Sequence, residues 1–388
     1  MNKMTKNKPV NFFMTGATGF FGVALIRNLL LSGHTVTGLV RARHGTDALS
    51  RLGQRLSEHD PDFPVGEHLG KTLLAAEGDV TCRNFGLDEL SYDRCAAKSD
   101  IIIHSAATTD LDADWKVYEK INIGGTREAI KFASRTRERS LVHISSAYVA
   151  GDRTDMVYED ELDLSVGFRN NYERSKAMSE SEVRNAGAAK DIRFMILRPS
   201  IIIGDSKRGR MGQDHHLFNF LLRLFWARQM IYKQMKSKKT AHGDRFRILG
   251  NLDTTKNFVP VDYVADLSSL LIDSEEAWGH AFHLTHPDPL HLGDLETYIR
   301  KAMDWPGFSC CPIDTMKDLS PLEKRFFGTI KIYEQYFWEE PLFDRTRIKA
   351  VLGKRMPKAP AISQGAVNKL VGFVLERYRH RKSQPKPS

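Results

Sequence analysis

The stretch TGATGFFG, Thr15 to Gly22, lies between the apolar run VNFFMTG and the helix-period segment ALIRNLLLSG, and the chain then continues as TVTGLVRAR. Gly16, Gly19 and Gly22 recur every third residue where a strand must turn into a helix. Each lets backbone come close, either to a ligand phosphate or to the neighbouring strand. The helix that begins here points its free N–H groups and positive dipole end at whatever lies in the crevice, a natural seat for a pyrophosphate. At the first strand-to-helix turn of a parallel sheet this spacing predicts a bound dinucleotide; elsewhere it would mark a tight turn and nothing more.

The flanking sequence supplies that context. Further strands are expected at TVTGLV, TLLAAEGDV, SDIIIHSAA, SLVHISSAYVAG and RFMILRPSIIIG, most of them separated by helix-period segments such as WKVYEKINIGGTREAIKFASRT. Strand and helix in alternation mean a parallel sheet covered on both faces. The strands are near-continuously apolar, as burial on both faces requires. The expected fold is α/β: a doubly wound Rossmann-type parallel sheet with a smaller C-terminal substrate lobe. Residues 1–204 form the dinucleotide-binding core and 205–250 a basic insertion around the amphipathic HLFNFLLRLFWARQMIY. Residues 251–303 return to the core, with sheet-like pattern at FVPVDYVADLSSLL and AFHLTH. Residues 304–388 read as an irregular lobe ending in a basic tail.

The second strand ends at Val40, and the next residue is Arg41, with Arg43 two further on and Arg51 on the following helix. An enzyme that prefers NAD places an acid near this point to bind the adenosine ribose. An acid would repel a 2′-phosphate, whereas a guanidinium pairs with it bidentately. The expected cofactor is therefore NADP(H).

Composition bounds the remaining classes. The 388 residues are 41% hydrophobic and 27% charged, ordinary for a globular enzyme. No run is long and apolar enough to predict a membrane span. The basic start MNKMTKNKPV lacks the apolar core of a signal peptide, and the four cysteines are too scattered for a disulfide framework or a zinc site, so the chain reads as cytoplasmic. The net charge of +9 is concentrated in SKRGR, KQMKSKK and RYRHRKSQPKPS. No recognition helix or zinc knuckle accompanies these runs, so no nucleic acid is expected. They read as a docking surface for phosphate-bearing or acidic partners, or as a solvated face.

The segment NYERSK puts Tyr172 and Lys176 four apart, on one face of a helix. A nearby ammonium is expected to lower the phenol pKa toward neutrality and make it a general acid. The spacing recurs at Tyr232–Lys236 and Tyr378–Lys382, but only Tyr172 follows the fifth parallel strand, whose C-terminal end carries Ser145 and Ser146. Ligands of such sheets bind beyond the strand C-termini.

Together TGATGFFG, HSAATT, ISSAYVAG, YERSK and LRPSIIIG resemble an extended short-chain dehydrogenase/reductase over roughly residues 10–300. The resemblance implies that Ser146, Tyr172 and Lys176 are catalytic and that Asn122 in INIGGT supports the site, while Ser145 belongs to the strand end. It implies cofactor contacts from Thr15, Gly16, Thr18, Gly19, Phe20 and Gly22, from Asp79 and Val80 of GDVT, and from Ser105, Ala106 and Ala107. Pro199, Ile201 and Ile202 complete that set, with Tyr172 and Lys176.

More narrowly, LVRAR, GDVT, FVPVDYVA and FHLTHPDPL look like thioester reductase domains, which release acyl chains from carrier proteins. AATTDLDADWKVYEKINIGGT, ISSAYVAG and, more loosely, YEQYFWEEPLFDRTRIKAVLG look like fatty acyl-CoA reductases. Both resemblances imply NADPH-dependent reduction of an acyl thioester, delivered as acyl-CoA or on an acyl carrier protein, to an aldehyde and in some cases an alcohol. The same triad would serve a ketone reductase or secondary-alcohol dehydrogenase of the sterol or flavonol type, which needs no basic docking surface. A nucleotide sensor of this fold is disfavoured because Tyr172 and Lys176 are both present.

Other residues carry plainer expectations. Asp214, His215 and His216 read as a helix start and not as metal ligands; no metal is expected. His104 and His143 sit in apolar strands as satisfied core or rim residues, and Cys310 and Cys311 read as buried thiols. Asp344 and Arg345 are expected to cap and charge a helix. The amphipathic AVNKLVGFVLERYRHRK is expected to pack on the domain, with peripheral contact to an anionic membrane as the alternative.

Overall fold

The computed structural model describes residues 8–43, 45–212, 216–237, 246–312, 317–337 and 339–383, with side chains except those of 234–237, 335 and 381–383. Asp214, His215, and the side chains of Lys236 and Lys382, lie outside that set.

The strands in chain order are β1 Asn11–Thr15, β2 Thr35–Val40, β3 Leu73–Glu77, β4 Ile101–His104, β5 Ser140–Ile144, β6 Met156–Val157, β7 Arg193–Pro199 and β8 Ile201–Ile203. There follow β9 Phe246–Leu249, β10 Thr255–Lys256, β11 Phe258–Pro260, β12 Ala281–Leu284, β13 Leu290–His291, β14 Phe308–Cys311 and β15 Leu342–Phe343. The first helices are α1 Phe20–Leu31, α2 Ala48–His59, α3 Val65–His68, α4 Glu89–Lys98, α5 Trp115–Tyr118, α6 Gly124–Ala133 and α7 Asn171–Ala188. The rest are α8 His216–Ser237, α9 Val261–Ile272, α10 Leu292–Ala302, α11 Pro321–Ile330, α12 Thr346–Leu352 and α13 Gln364–Ser383.

The chain divides into two compact units. The first comprises Met1–Ser200, Val261–Thr285 and Leu342–Lys358. It holds a seven-stranded parallel sheet in the order β12-β7-β5-β4-β1-β2-β3. This is the doubly wound order, and the direction of winding reverses between β1 and β4, where such sheets bind ligands. β4 and β5 are buried along their whole length, as the apolar reading required. Beneath α4, α6 and α7 the core is built on Phe13, Phe85, Tyr92 and Phe132, with Phe13 and Phe132 centroids 4.3 Å apart. Each such ring removes a large apolar area from water and dominates the local packing.

The second unit comprises Ile201–Pro260, His286–Pro341 and Ala359–Ser388. It contains three two-stranded sheets, β8 with β11, β9 with β14, and β10 with β13, together with α8, α10, α11 and α13. α13 packs on α8 and α10 and buries Val367, Leu370, Val371 and Val374. That apolar face is therefore turned to protein, as the packing reading of the amphipathic segment anticipated. Among the described residues no helix is long and apolar enough to cross a membrane.

Three features depart from the sequence reading. FVPVDYVADLSSLL is a strand only at Phe258–Pro260; Val261, Val264, Ala265, Leu267, Ser268 and Leu271 recur at helical spacing and are buried as one face of α9. The region after Asp304 is not irregular, since it carries β14 and three helices. α11 even opens with a capping box, Ser320 with Glu323, and Pro321 in its first turn. Finally, 251–260 and 286–303 lie in the second unit, while 342–358 lies in the first.

Candidate active site

Gly16 adopts φ +69, and a Cβ there would stand 2.7 Å from the backbone nitrogen of Ala106. Only glycine tolerates both the left-handed conformation and that close approach of the β1 turn to the end of β4. At Gly22 a Cβ would meet the Gly16 carbonyl oxygen at 2.2 Å, so α1 sits tightly on the loop. Thr15 joins the same knot: its hydroxyl accepts from Ala106 N at 3.2 Å and lies 2.8 Å from His104 Nδ1. Gly19 is the N-cap of α1, with no side-chain cap and no acidic residue in the first turn. The helix's own cap and first turn therefore supply no anion to its free N–H groups and dipole.

β2 delivers Arg41 and Arg43 at its exposed end, and α2 returns Arg51, whose Nη1 donates to the Arg41 carbonyl at 2.8 Å. Burial, then the charges of Arg43, Arg41 and Arg55, lower the pKa of Arg51. Among the described residues Arg41, Arg43 and Arg51 have no carboxylate partner, so their mutual repulsion is uncompensated by protein. Arg55, one turn beyond Arg51, was not singled out from the sequence although its spacing put it within reach. Its Nε donates to Thr18 O at 3.2 Å in the glycine loop, and Glu58 pairs with it at 2.8 Å. An uncapped helix N-terminus beside a group of guanidiniums fits a dinucleotide with an additional phosphate.

The other expected cofactor residues differ in how they are held. Ser105 and Ala106 adjoin Gly16. Val80 packs on Gly125 of α6, whereas the Asp79 carboxylate accepts from Thr81 N at 2.8 Å and is used in its own turn. Phe20 meets the ring of His59 edge-on. Pro199 is buried at the end of β7; Ile201 and Ile202 belong to the second unit on β8.

Ser146 follows β5 and caps the short helical turn Ala147–Ala150, its Oγ accepting from Tyr148 N at 3.2 Å. The Tyr172 hydroxyl, on the first turn of α7, is hydrogen-bonded to Ser146. Asn170 caps this helix through Glu173 N, which fixes where Tyr172 begins. Lys176, one turn on and 4% exposed, donates to the Ile144 carbonyl. Burial lowers its pKa to about 8, against the raising effect of Glu180.

The expected lowering of the Tyr172 phenol is not found. Burial pushes it up to about 12, the Ser146 hydrogen bond pulls the other way, and Glu173 adds to the rise. In this arrangement the phenol keeps its proton through the neutral range and is a hydrogen-bond donor.

Asn122 lies in a π-helical turn, Glu119–Ile123, a feature frequent at functional sites. Its side chain accepts from Thr108 N at 2.8 Å and donates to Ser175 Oγ at 2.8 Å, tying that turn to α7 beside Lys176. Ser145 Oγ donates to Glu180 Oε2 at 2.8 Å, a strand-end role as anticipated. His104 is satisfied through Thr15, but among the described residues neither ring nitrogen of buried His143 has a hydrogen-bond partner, contrary to expectation. Burial and the charge of Lys176 hold His104 down to about 3 and His143 well below its usual range. Asp344 accepts from Thr346 N at 3.1 Å beside the start of α12, but Arg345, the N-cap position, makes no capping bond and is buried, its Nη2 donating to the Tyr263 hydroxyl at 3.0 Å, so it does not charge the helix end as expected. Cys310 and Cys311 are half-buried and not the buried thiols expected, although burial still raises the Cys310 thiol. Among the described residues no cluster of metal-ligating side chains occurs.

The fold and this site define an NAD(P)-binding oxidoreductase of the extended short-chain dehydrogenase/reductase type. The chain belongs to the male sterility protein family of NAD-binding domains, whose model matches residues 14–268. It is similar to L-2-aminoadipate reductase of Schizosaccharomyces pombe, 26% identical over 75% of this chain and 20% of that protein, so it spans about a fifth of that relative's length. Among solved structures it is similar to the terminal R domain of the myxalamid PKS-NRPS pathway, with TM-score 0.78, 22% identity and coverage of 96% and 92% of the two chains. A thiolation-reductase di-domain of an archaeal non-ribosomal peptide synthetase has TM-score 0.75 and 17% identity, covering 96% of this chain and 76% of that one.

Proposed function

We propose that this chain reduces an acyl thioester to an aldehyde with NADPH. The observation that carries the reading is the hydrogen-bonded Ser146–Tyr172 pair, with Lys176 one helical turn away, at the C-terminal end of β5. Gly16, Gly19 and Gly22 would bring backbone to the pyrophosphate, and Arg41, Arg43 and Arg51 would receive the 2′-phosphate. NADPH, when bound, supplies the hydride.

The chain's own residues do the rest. Ser146 and Tyr172 donate hydrogen bonds to the thioester oxygen and stabilise the negative charge that develops there. Tyr172, a phenol that keeps its proton, gives it up to that oxygen. Lys176 orients the site and supplies positive charge below about pH 8. Collapse of the hemithioacetal breaks the C–S bond, and the thiol leaves with a pKa of about 8.5, a reasonable leaving group. Thioester, NADPH and a proton become aldehyde, thiol and NADP⁺.

The similarity to a thiolation-reductase di-domain and to aminoadipate reductase supports a carrier-bound thioester over a free ketone. Lys207, Arg208, Lys233 and Arg379, the exposed cations in the described part of the basic runs, support a phosphate-bearing donor, CoA or the phosphopantetheine arm of a carrier. The test is a substrate panel of acyl-CoA, acyl-pantetheine, acylated carrier protein and ketones, with aldehyde and alcohol identified in the products. Aldehyde formed only from thioesters supports the reading. Turnover of a ketone with no thioester active would replace it by a ketone reductase.

A further inference from the structure

Below the proposed catalytic residues lies a buried ion pair that their chemistry leaves unexplained. Glu180 on α7 and Arg198 on β7 are both 0% exposed. Arg198 Nε donates to Glu180 Oε2 at 3.0 Å and Nη2 to Oε1 at 2.6 Å, a bidentate fork. The guanidinium also donates to the carbonyls of Glu159 at 3.2 Å and Glu161 at 2.6 Å, so four of its five N–H groups are used and the last faces His283 Nε2 at 3.5 Å. Arg184, on the same helix as Glu180, adds a third cation, with Nη2 2.9 Å from Oε1. The remaining capacity of Oε2 receives the Ser145 hydroxyl at 2.8 Å.

Burying two charges costs several kcal/mol each, and well-packed apolar side chains would often be as stable. An ion pair kept there needs a reason beyond stability. Its position offers one. Ser145 immediately precedes Ser146, so the pair fixes the strand end that aims the Ser146 hydroxyl. Glu180 is also four residues beyond Lys176, on the same face of α7.

We propose that Glu180, held by Arg198, is a positioning residue of the reaction: its carboxylate fixes the end of β5 that carries Ser146 and lies one helical turn below Lys176. The inference rests on the reading of Ser146, Tyr172 and Lys176 as the reacting group. Burial alone would raise the Glu180 carboxyl; Arg198, Arg184 and Ser145 outweigh it and hold the group ionised. Besides Glu180, the titratable groups that feel the Lys176 charge are His104 on β4 and His143 on β5; Tyr172 lies one turn away on α7. The two imidazoles stay neutral, so Glu180 is the negative charge that Lys176 experiences. His283 on β12, with Nε2 3.5 Å from Arg198 Nη1, is likewise held neutral by burial and by Arg198.

The experiment titrates Lys176 directly, by NMR of lysine labelled at the ε-carbon, assigned with Lys176→Arg, in wild type and Glu180→Gln. The cofactor-free chain is used, and the pH dependence of kcat with an acyl-CoA and NADPH is recorded in parallel. Removing the carboxylate charge is expected to lower the Lys176 pKa by about one unit, the size of a near charge–charge effect. The alkaline limb of kcat is expected to move down with it, with kcat lowered about tenfold and the NADPH Kd within about twofold of wild type.

A folded Glu180→Gln with an unmoved Lys176 titration and unchanged kcat would overturn the inference. If that variant fails to fold because Arg198 is left unpaired, Glu180→Gln combined with Arg198→Met removes one charge of each sign, so kcat decides there: a fall of about tenfold is expected, and an unchanged kcat in the folded double variant would overturn the inference. Ser145→Ala tests the strand arm separately: kcat is expected to fall while the Lys176 titration stays in place, and unchanged kcat would remove that arm. Tyr172→Phe separates the two levels. If it stays active, the reading of the site fails; if it is inactive while the Glu180 variants behave as wild type, only the positioning role fails.

Discussion

At the residue scale the account depends on a few side chains whose alternatives are costly. Gly16→Ala would place a Cβ 2.7 Å from backbone atoms of Ser105 and Ala106 at φ +69, and nothing there is a flexible side chain that can yield. The variant is expected to melt at a lower temperature and to lose NADPH binding, read by calorimetry and by nicotinamide fluorescence. Arg41→Ala combined with Arg51→Ala removes two guanidiniums that have no carboxylate partner among the described residues. The NADPH Kd is expected to rise by roughly 10- to 100-fold, since a charged hydrogen bond is worth about 1.5–3 kcal/mol. The NADH Kd is expected to change little; equal loss for both cofactors would contradict a 2′-phosphate site. These residues were legible because their types are unusual for their positions: glycine at a forced turn, arginine where an acid is common. Arg55, Glu180 and Arg198 were not, because an arginine or glutamate inside a helix or strand looks alike whether it faces solvent or a buried partner.

At the scale of elements, the strands β1 to β5 and β7 followed from continuous apolar runs; α7 was expected only around Tyr172 and Lys176, and its start is set by the Asn170 cap that the structure shows. α9 did not follow, because Phe258, Val259, Val261, Tyr263 and Val264 in FVPVDYVA carry strand propensity while the three-to-four-residue spacing of the buried positions decides for a helix. The short segment Leu342–Leu352 was also opaque, since its role is fixed by partners far away in sequence. β15 pairs with β6, and Glu159 accepts from His283 N at 3.0 Å, Arg347 N at 2.7 Å and Ile348 N at 3.2 Å. Burial raises the Glu159 carboxyl to about 7, in spite of those three donors. Because its folded pKa exceeds the unfolded value, the folded state binds the extra proton between the two. Its contribution is present below about pH 4.5 and is lost as pH rises through about 7. The melting temperature of wild type is therefore expected to fall between pH 5 and pH 8 more steeply than that of Glu159→Gln; parallel curves would show that Glu159 does not titrate in this range.

At the scale of the whole molecule, the chain assigns three separate segments to each unit, and the sheet unit is completed only by Leu342–Lys358. Removing 359–388 takes α13 from the second unit, whereas removing 342–388 also takes β15, α12 and two of the Glu159 donors from the first. The longer truncation is expected to destabilise the sheet unit markedly more than the shorter one, measured by thermal unfolding followed with NADPH binding. Interleaving of this kind is hard to read from sequence, since composition shifts mark a boundary only where the chain changes character, and the returning segments have ordinary composition. A reductase whose Ser146, Tyr172 and Lys176 act on a thioester carbonyl, as proposed, draws on residue, element and whole chain together. The most direct measurement follows NADPH oxidation and free thiol release together, with an acyl-CoA and an acylated carrier protein, in wild type and Tyr172→Phe. Thiol release accompanying every aldehyde formed, and lost with NADPH oxidation in the variant, is the predicted result. NADPH oxidation without thiol release, or a Tyr172→Phe variant as active as wild type, would contradict it.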